Sequence, residues 1–248
     1  MQLRIFTDGA ALATAAAEQI IQQVVAKPNS LICLAGGETP RASYAELVRL
    51  GHTRKIDFTG VHFVSLDEWL GIPPNNSGSC FYFLQETVFS PLGILPAQVC
   101  FFDALTTGEA AECNRINEFV DSRGGIDLML VGIGMNGHIG FNEPGFSPNA
   151  LAHTRELDSV TQQVGQKYFS SAASLGKGIT LGMRQLMEAQ QVLLLATGHK
   201  KAPIVQQALE GEIGTALPAT YLRLHKNGFV LLDREAASKL GNQPPVAG

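Results

Sequence analysis

The stretch 126-IDLMLVGIGMNGHIGFNEPG-145 decides the fold. Asp127 to Val131 is a short run rich in large aliphatics, the composition of a strand buried on both faces of a parallel sheet. Gly132, Gly134, Gly137 and Gly140 then empty the run into a tight, non-helical loop. Asn136, His138, Asn142 and Glu143 crowd that loop, and Pro144-Gly145 closes it. In open α/β sheets ligands bind at the carboxyl ends of the strands, so the chemistry is expected here.

Working outward, short apolar runs alternate with amphipathic ones. Strands are expected at Leu3–Phe6, Leu31–Ala35, Val61–Leu66, Val99–Phe102, Val192–Ala196 and Phe229–Leu232. Helices are expected at Ala10–Ala26, Pro40–Leu50, Cys80–Phe89, Gly108–Ser122, Thr161–Phe169 and Lys200–Glu210. In the first helix, Leu12, Ala16, Ile20 and Val24 form one apolar row, and Ala13, Ala17, Ile21 and Val25 widen it. The segment after the central loop reads as irregular, Gly176 to Gly182 as a glycine-rich passage, and the tail GNQPPVAG as frayed. The pattern predicts an α/β fold: a Rossmann-like, mostly parallel sheet with helices on both faces. No repeat or linker divides it, so residues 1–248 are expected to form a single domain.

Composition narrows the partners. Hydrophobic residues make up 45% of the 248, charged residues 16%, and the net charge is −4, typical of a compact globule. No lysine or arginine block suggests nucleic acid or an anionic membrane, and no apolar run reaches the length of a membrane span. The four cysteines (Cys33, Cys80, Cys100, Cys113) show no metal spacing, and Cys33 and Cys100 sit in apolar runs. A reduced, cytoplasmic protein is the expectation. The sequence carries no signal of oligomeric state.

Three further junctions matter. In Gly36-Gly37-Glu38-Thr39-Pro40, Thr39 suits a helix cap and Pro40 the first helical position. The helix start would offer backbone N–H groups to a phosphate, or form a plain capped turn. Glu38 opposes the first reading, because a carboxylate repels phosphate unless it turns away. Asp67-Glu68 ends the strand VHFVSL: Asp67 could serve as a general base, or simply cap a loop. Glu68 reads as solvent-facing or supporting, and Trp69 as packing. Lys201, in Thr197-Gly198-His199-Lys200-Lys201, could meet the same phosphate as Thr39, and Lys167 and Arg155 are ambiguous.

In the central loop, Gly132 to Gly137 matches GxGxxG by letter. No helix opens behind it, so no nicotinamide or flavin site is expected. Instead His138 can take and give a proton near neutral pH, with Asn136 and Glu143 close enough in sequence to hold its ring. A structural histidine bonded to loop backbone is the plainer alternative. The other five histidines are scattered.

GGETP at 36–40, SLDEW at 65–69, GIGMNGHIGFNEPG at 132–145 and TGHKKA at 197–202 together resemble the glucosamine-6-phosphate deaminase/isomerase family. The 6-phosphogluconolactonases share the fold, but their loop reads DGH followed by Ser-Leu-Phe-Pro, whereas NGH is followed here by FNEPG. The resemblance implies a cofactor-free reaction in which an amino-hexose 6-phosphate becomes a ketohexose 6-phosphate and ammonia. It implies that Asp67 moves a proton between C2 and C1. His138 would open the pyranose ring, oriented by Glu143 and Asn136, and Gly36, Gly37, Thr39, Lys167 and Lys201 would line the phosphate.

Departures are visible. Position 136 is aspartate and position 167 arginine in some members. Asn76-Ser77-Gly78-Ser79-Cys80 replaces the usual His-Pro-x-Ser-Tyr, which with GITLGM at 178–183 is similar to the galactosamine-6-phosphate branch. The allosteric residues of hexameric members are not evident, so no effector site is expected. A sugar-lactone hydrolase on the same fold and a non-catalytic sugar-phosphate sensor are the alternatives.

Overall fold

The computed structural model describes residues 1–241 and 246–247. The strands are β1 (Gln2–Phe6), β2 (Leu31–Leu34), β3 (His62–Ser65), β4 (Asp67–Trp69), β5 (Val99–Cys100), β6 (Leu128–Gly132), β7 (His153–Glu156), β8 (Lys177–Thr180), β9 (Gln191–Ala196), β10 (Gly228–Asp233) and β11 (Val246–Ala247). The α-helices are α1 (Gly9–Ala26), α2 (Glu38–Thr53), α3 (Cys80–Leu84), α4 (Ser90–Leu92), α5 (Glu109–Ser122), α6 (Ser159–Gly165), α7 (Met183–Glu188) and α8 (Ala202–Glu210).

The main sheet runs β11-β1-β10-β9-β6-β2-β3-β5, and every pairing in it is parallel. β6 and β2 lie side by side near its middle. From β2 the chain builds outward through β3 and β5, and on the far side of β6 lie β9, β10 and β1. Connections that leave in opposite directions open a crevice at the carboxyl ends of β2 and β6, where the two glycine-rich loops emerge.

Side chains of β2 and β6 alternate between two cores, as strand geometry requires. Leu31, Cys33, Met129 and Val131 pack with α5, α7 and α8, while Ile32, Leu34, Leu128 and Leu130 pack with α1 and α2. In α1 the Asp8 carboxylate caps the helix by accepting from Ala10 and Ala11 N–H, and the expected apolar rows are buried except for exposed Val25. Among the described residues no helix is long and apolar enough to cross a membrane. The tail reading falls largely outside the described residues, although Val246–Ala247 pairs with β1.

A second sheet, β4-β8-β7, is antiparallel and was not expected. SLDEW is not a strand running into a loop. The chain bends at Leu66 and starts a new strand, pairing Asp67 with Thr180 and Trp69 with Gly178. The glycine-rich passage is therefore partly β8. Its Gly178 is there for packing, because a Cβ would lie 2.4 Å from the Phe141 ring. Phe141 in turn packs on Trp69 at 4.6 Å between ring centres, and this cluster fixes the small sheet beneath the central loop.

Candidate active site

The crevice between β2 and β6 deepens into a cavity of about 320 Å³. Gly36, Gly37 and Thr39 reach it from the β2–α2 junction, Asp67 from β4, Asn136 and His138 from the loop after β6, Lys167 from the turn after α6, and Lys201 from the start of α8. Glu143 is buried behind His138. The residues assigned to proton transfer and phosphate binding thus converge on one place.

The β2–α2 junction differs from its sequence reading. Gly37, with φ of +107°, is the cap, Glu38 opens the helix, and Thr39 and Pro40 are its second and third residues. No side chain caps this end. The Glu38 N–H meets the Tyr168 hydroxyl, while the cap residue itself offers no side-chain oxygen to the first turn, the arrangement that a phosphate exploits. Lys201 and Lys167 add positive charge at the same cavity. Burial, reinforced by Lys167, lowers the Lys201 amine to about 8, and its Nζ donates to the Ile133 carbonyl. Glu38 borders the cavity, but Arg41 grips its two carboxylate oxygens at 2.9 and 3.1 Å and holds it below the ordinary range.

His138 is held by its Nδ1 edge, 3.2 Å from Glu143 Oε1 and 3.1 Å from Thr161 Oγ1. Its Cδ2–Nε2 edge lies against Gly134, where a Cβ would approach within 2.2 Å. That close approach is why the loop needs a glycine there. Asn136 does not orient the ring directly. Its Nδ2 donates to Glu143 Oε2 at 2.7 Å and its Oδ1 accepts the His138 backbone N–H at 3.3 Å. Asn142 staples the loop by donating to the Ile139 and Leu181 carbonyls. Burial pushes the Glu143 carboxyl up, but hydrogen bonds and attraction from His138, with Thr161 and Asn136, more than offset it and leave the group lowered.

Asp67 is the opposite case. Burial, then repulsion from Glu68, raises its carboxyl to about 7. Glu68 is not solvent-facing: it is 1% exposed and accepts the N–H groups of Trp69, Cys80 and Phe81, tying the start of α3 to β4. Its carboxyl is also raised, by burial.

Sequence reasoning missed Thr161, Tyr168 and Arg41. Thr161 was read only as a helix residue, and nothing local marks it as the neighbour of His138. Tyr168 lies against Gly37, its hydroxyl hydrogen-bonded to the Glu38 backbone. Arg41 could have been found from its spacing of three to Glu38. Arg155 lies outside the cavity, over the Phe146 ring. Among the described residues no three His, Cys, Asp or Glu side chains are grouped to hold a metal ion.

The family model described as glucosamine-6-phosphate isomerases/6-phosphogluconolactonase matches residues 7–231. AgaI of Escherichia coli (strain K12) is 38% identical over 223 residues, 90% of this chain and 88% of that protein. A glucosamine-6-phosphate deaminase of Thermoanaerobacter sp. (strain X514) is 35% identical over 229 residues, 92% and 90% of the two chains. A solved structure of a monomeric glucosamine-6-phosphate deaminase matches with a TM-score of 0.93 at 35% identity, covering 96% of this chain and all of that one. The 6-phosphogluconolactonase of Trypanosoma brucei, at 20% identity and a TM-score of 0.76 over 97% and 98% of the chains, shares the fold alone. With its two glycine-rich loops meeting at one crevice and a family match running through nearly the whole chain, the protein belongs to the glucosamine-6-phosphate isomerase/6-phosphogluconolactonase family.

Proposed function

We propose that the chain, acting as one unit over residues 1–248, deaminates an amino-hexose 6-phosphate of gluco or galacto configuration by a cofactor-free aldose–ketose isomerisation. One observation carries the reading: Asp67 and His138, distant in sequence, face one cavity whose other wall is an uncapped helix start flanked by two lysines.

The phosphate is held by the α2 N–H groups, Lys201 and Lys167, which sets C1 and C2 against the catalytic groups. His138 delivers a proton to the ring oxygen as the C1 hydroxyl loses one, opening the pyranose to an aldehyde. Asp67 takes the C2 proton while the C1 oxygen gains one, giving an enolamine. The same carboxyl returns a proton to C1 and leaves an imine at C2. Water adds there and ammonia departs, so amino-hexose 6-phosphate and water yield ketohexose 6-phosphate and ammonia. Glu143 stays ionised and steadies the imidazolium, with Asn136 and Thr161 holding Glu143 and the ring in place.

The identity to named deaminases favours this over lactone hydrolysis, and the assembled acid and base favour it over a non-catalytic sensor. The four free cysteines suit a reduced, cytoplasmic setting. Ammonia release from glucosamine 6-phosphate and galactosamine 6-phosphate is the test. Release from either supports the proposal and reports the C4 preference; release from neither, with hydrolysis of a 6-phosphogluconolactone, overturns it.

A further inference from the structure

The base of the proposed reaction has one side-chain hydrogen-bond partner among the described residues. Cys80 Sγ lies 3.6 Å from Asp67 Oδ1, inside the cavity wall. The thiol is not there by chance of rotamer. The Cys80 backbone N–H is bound by Glu68 at 2.9 Å, the next N–H by the same carboxylate at 2.8 Å, and buried Ser79 caps α3 through Tyr82 N–H. On its other side the sulfur meets Gly36, where a Cβ would sit 3.2 Å away. Cys80 is therefore clamped between the phosphate loop and the base.

We propose that Cys80 is a positioning residue for Asp67: its S–H donates to Oδ1, fixes the carboxyl plane and leaves Oδ2 for the substrate C–H. A thiol is a weak donor, so it orients a carboxylate while taking little of its basicity. A hydroxyl at the same place would bind the ionised form more tightly and make a poorer base. The titratable groups facing Asp67 are Glu68 on its own strand, Cys33 on β2, Tyr44 on α2, Cys80 on α3 and Tyr168 beyond α6. None is a cation: Lys167 and Lys201 stand at the phosphate side of the same cavity and do not shift Asp67, so no positive charge offsets its burial.

This inference rests on the reading of Asp67 as the base, and two measurements keep the two apart. First, the S–H stretching band of Cys80, identified by difference against Cys80→Ala at pH 8, is expected at a lower frequency than that of a free thiol. A band at the free-thiol position overturns the hydrogen bond whatever the activity. Second, kcat and kcat/KM are measured against pH with the amino-hexose 6-phosphate that releases ammonia. Cys80→Ser is expected to move the acidic limb down by about 0.5–1 pH unit, and Cys80→Ala to lower kcat by about 5- to 30-fold with KM nearly unchanged. Wild-type limb and kcat in both variants overturn the positioning role. If Cys80→Ser does not fold, Cys80→Ala and the band decide alone. Ammonia from neither substrate overturns the base reading and this inference with it.

Discussion

Two carboxylic acids serve this cavity, and their surroundings drive them in opposite directions. Asp67, at the start of β4, is surrounded by apolar packing, a second acid and a thiol, and its carboxyl rises to about 7. Glu143, buried in the loop after β6, instead meets His138, Thr161 and Asn136, and its carboxyl falls below the ordinary range. The same functional group thus becomes a proton carrier on one side and a fixed negative charge on the other. Environments that push like groups apart assign the acid–base roles in advance of any substrate.

The largest expected break in this comparison is Asp67→Asn. Removing the proton carrier should lower kcat by about 10³- to 10⁴-fold while KM changes little. A parallel loss in KM would place Asp67 among the binding groups instead. The same variant should be more stable than wild type at pH 8. A carboxyl raised on folding contributes stability below its unfolded value of 3.8 and loses it as pH climbs through about 7. Thermal unfolding should show a gain of roughly 2–8 °C at pH 8 that vanishes near pH 4.

Next comes the fixed charge. Glu143→Gln keeps the shape of the hydrogen-bond network but not its charge, and kcat should fall by about 10- to 100-fold. An unchanged rate would mean that His138 needs no counter-charge. Third, Lys201→Met should raise KM by roughly 10- to 100-fold through a lost charged hydrogen bond to phosphate. The pH profile tests both ends together. Asp67 must lose its proton and Lys201 keep its own, so kcat/KM should rise through about pH 7 and decline above about pH 8. The alkaline limb should be absent from kcat, because bound phosphate holds the amine charged. The smallest effect is expected at Thr161→Val, about 2- to 10-fold in kcat, since Glu143 still grips the imidazole.

The same two regions show how far the sequence can be read. The loop after β6 was legible because its chemistry is local: His138 and Glu143 are five residues apart and touch. The periodic elements were legible as well, since the parallel strands are buried on both faces and α1 shows a repeating apolar stripe. The surroundings of Asp67 were not. Its strand is three residues long and pairs with a partner on the far side of the central loop, and that partner's glycines mimic a turn. Glu68 could not be told apart as solvent-facing or supporting because its three donors are backbone N–H groups, two of them more than ten residues away and without any side-chain signature. Thr161 is brought to His138 by the packing of α6, through the contact of Gly165 with Trp69, and no pattern within α6 announces it.

The most direct test is a crystal structure of the protein with an unreactive amino-hexitol 6-phosphate. The account predicts the phosphate against Gly37, Thr39, Lys201 and Lys167, with the Asp67 carboxyl facing C1 and C2 and the His138 ring near the oxygen on C5. A sugar seated in the cavity with its phosphate at the opposite end, or with either side chain beyond reach of those atoms, would contradict it.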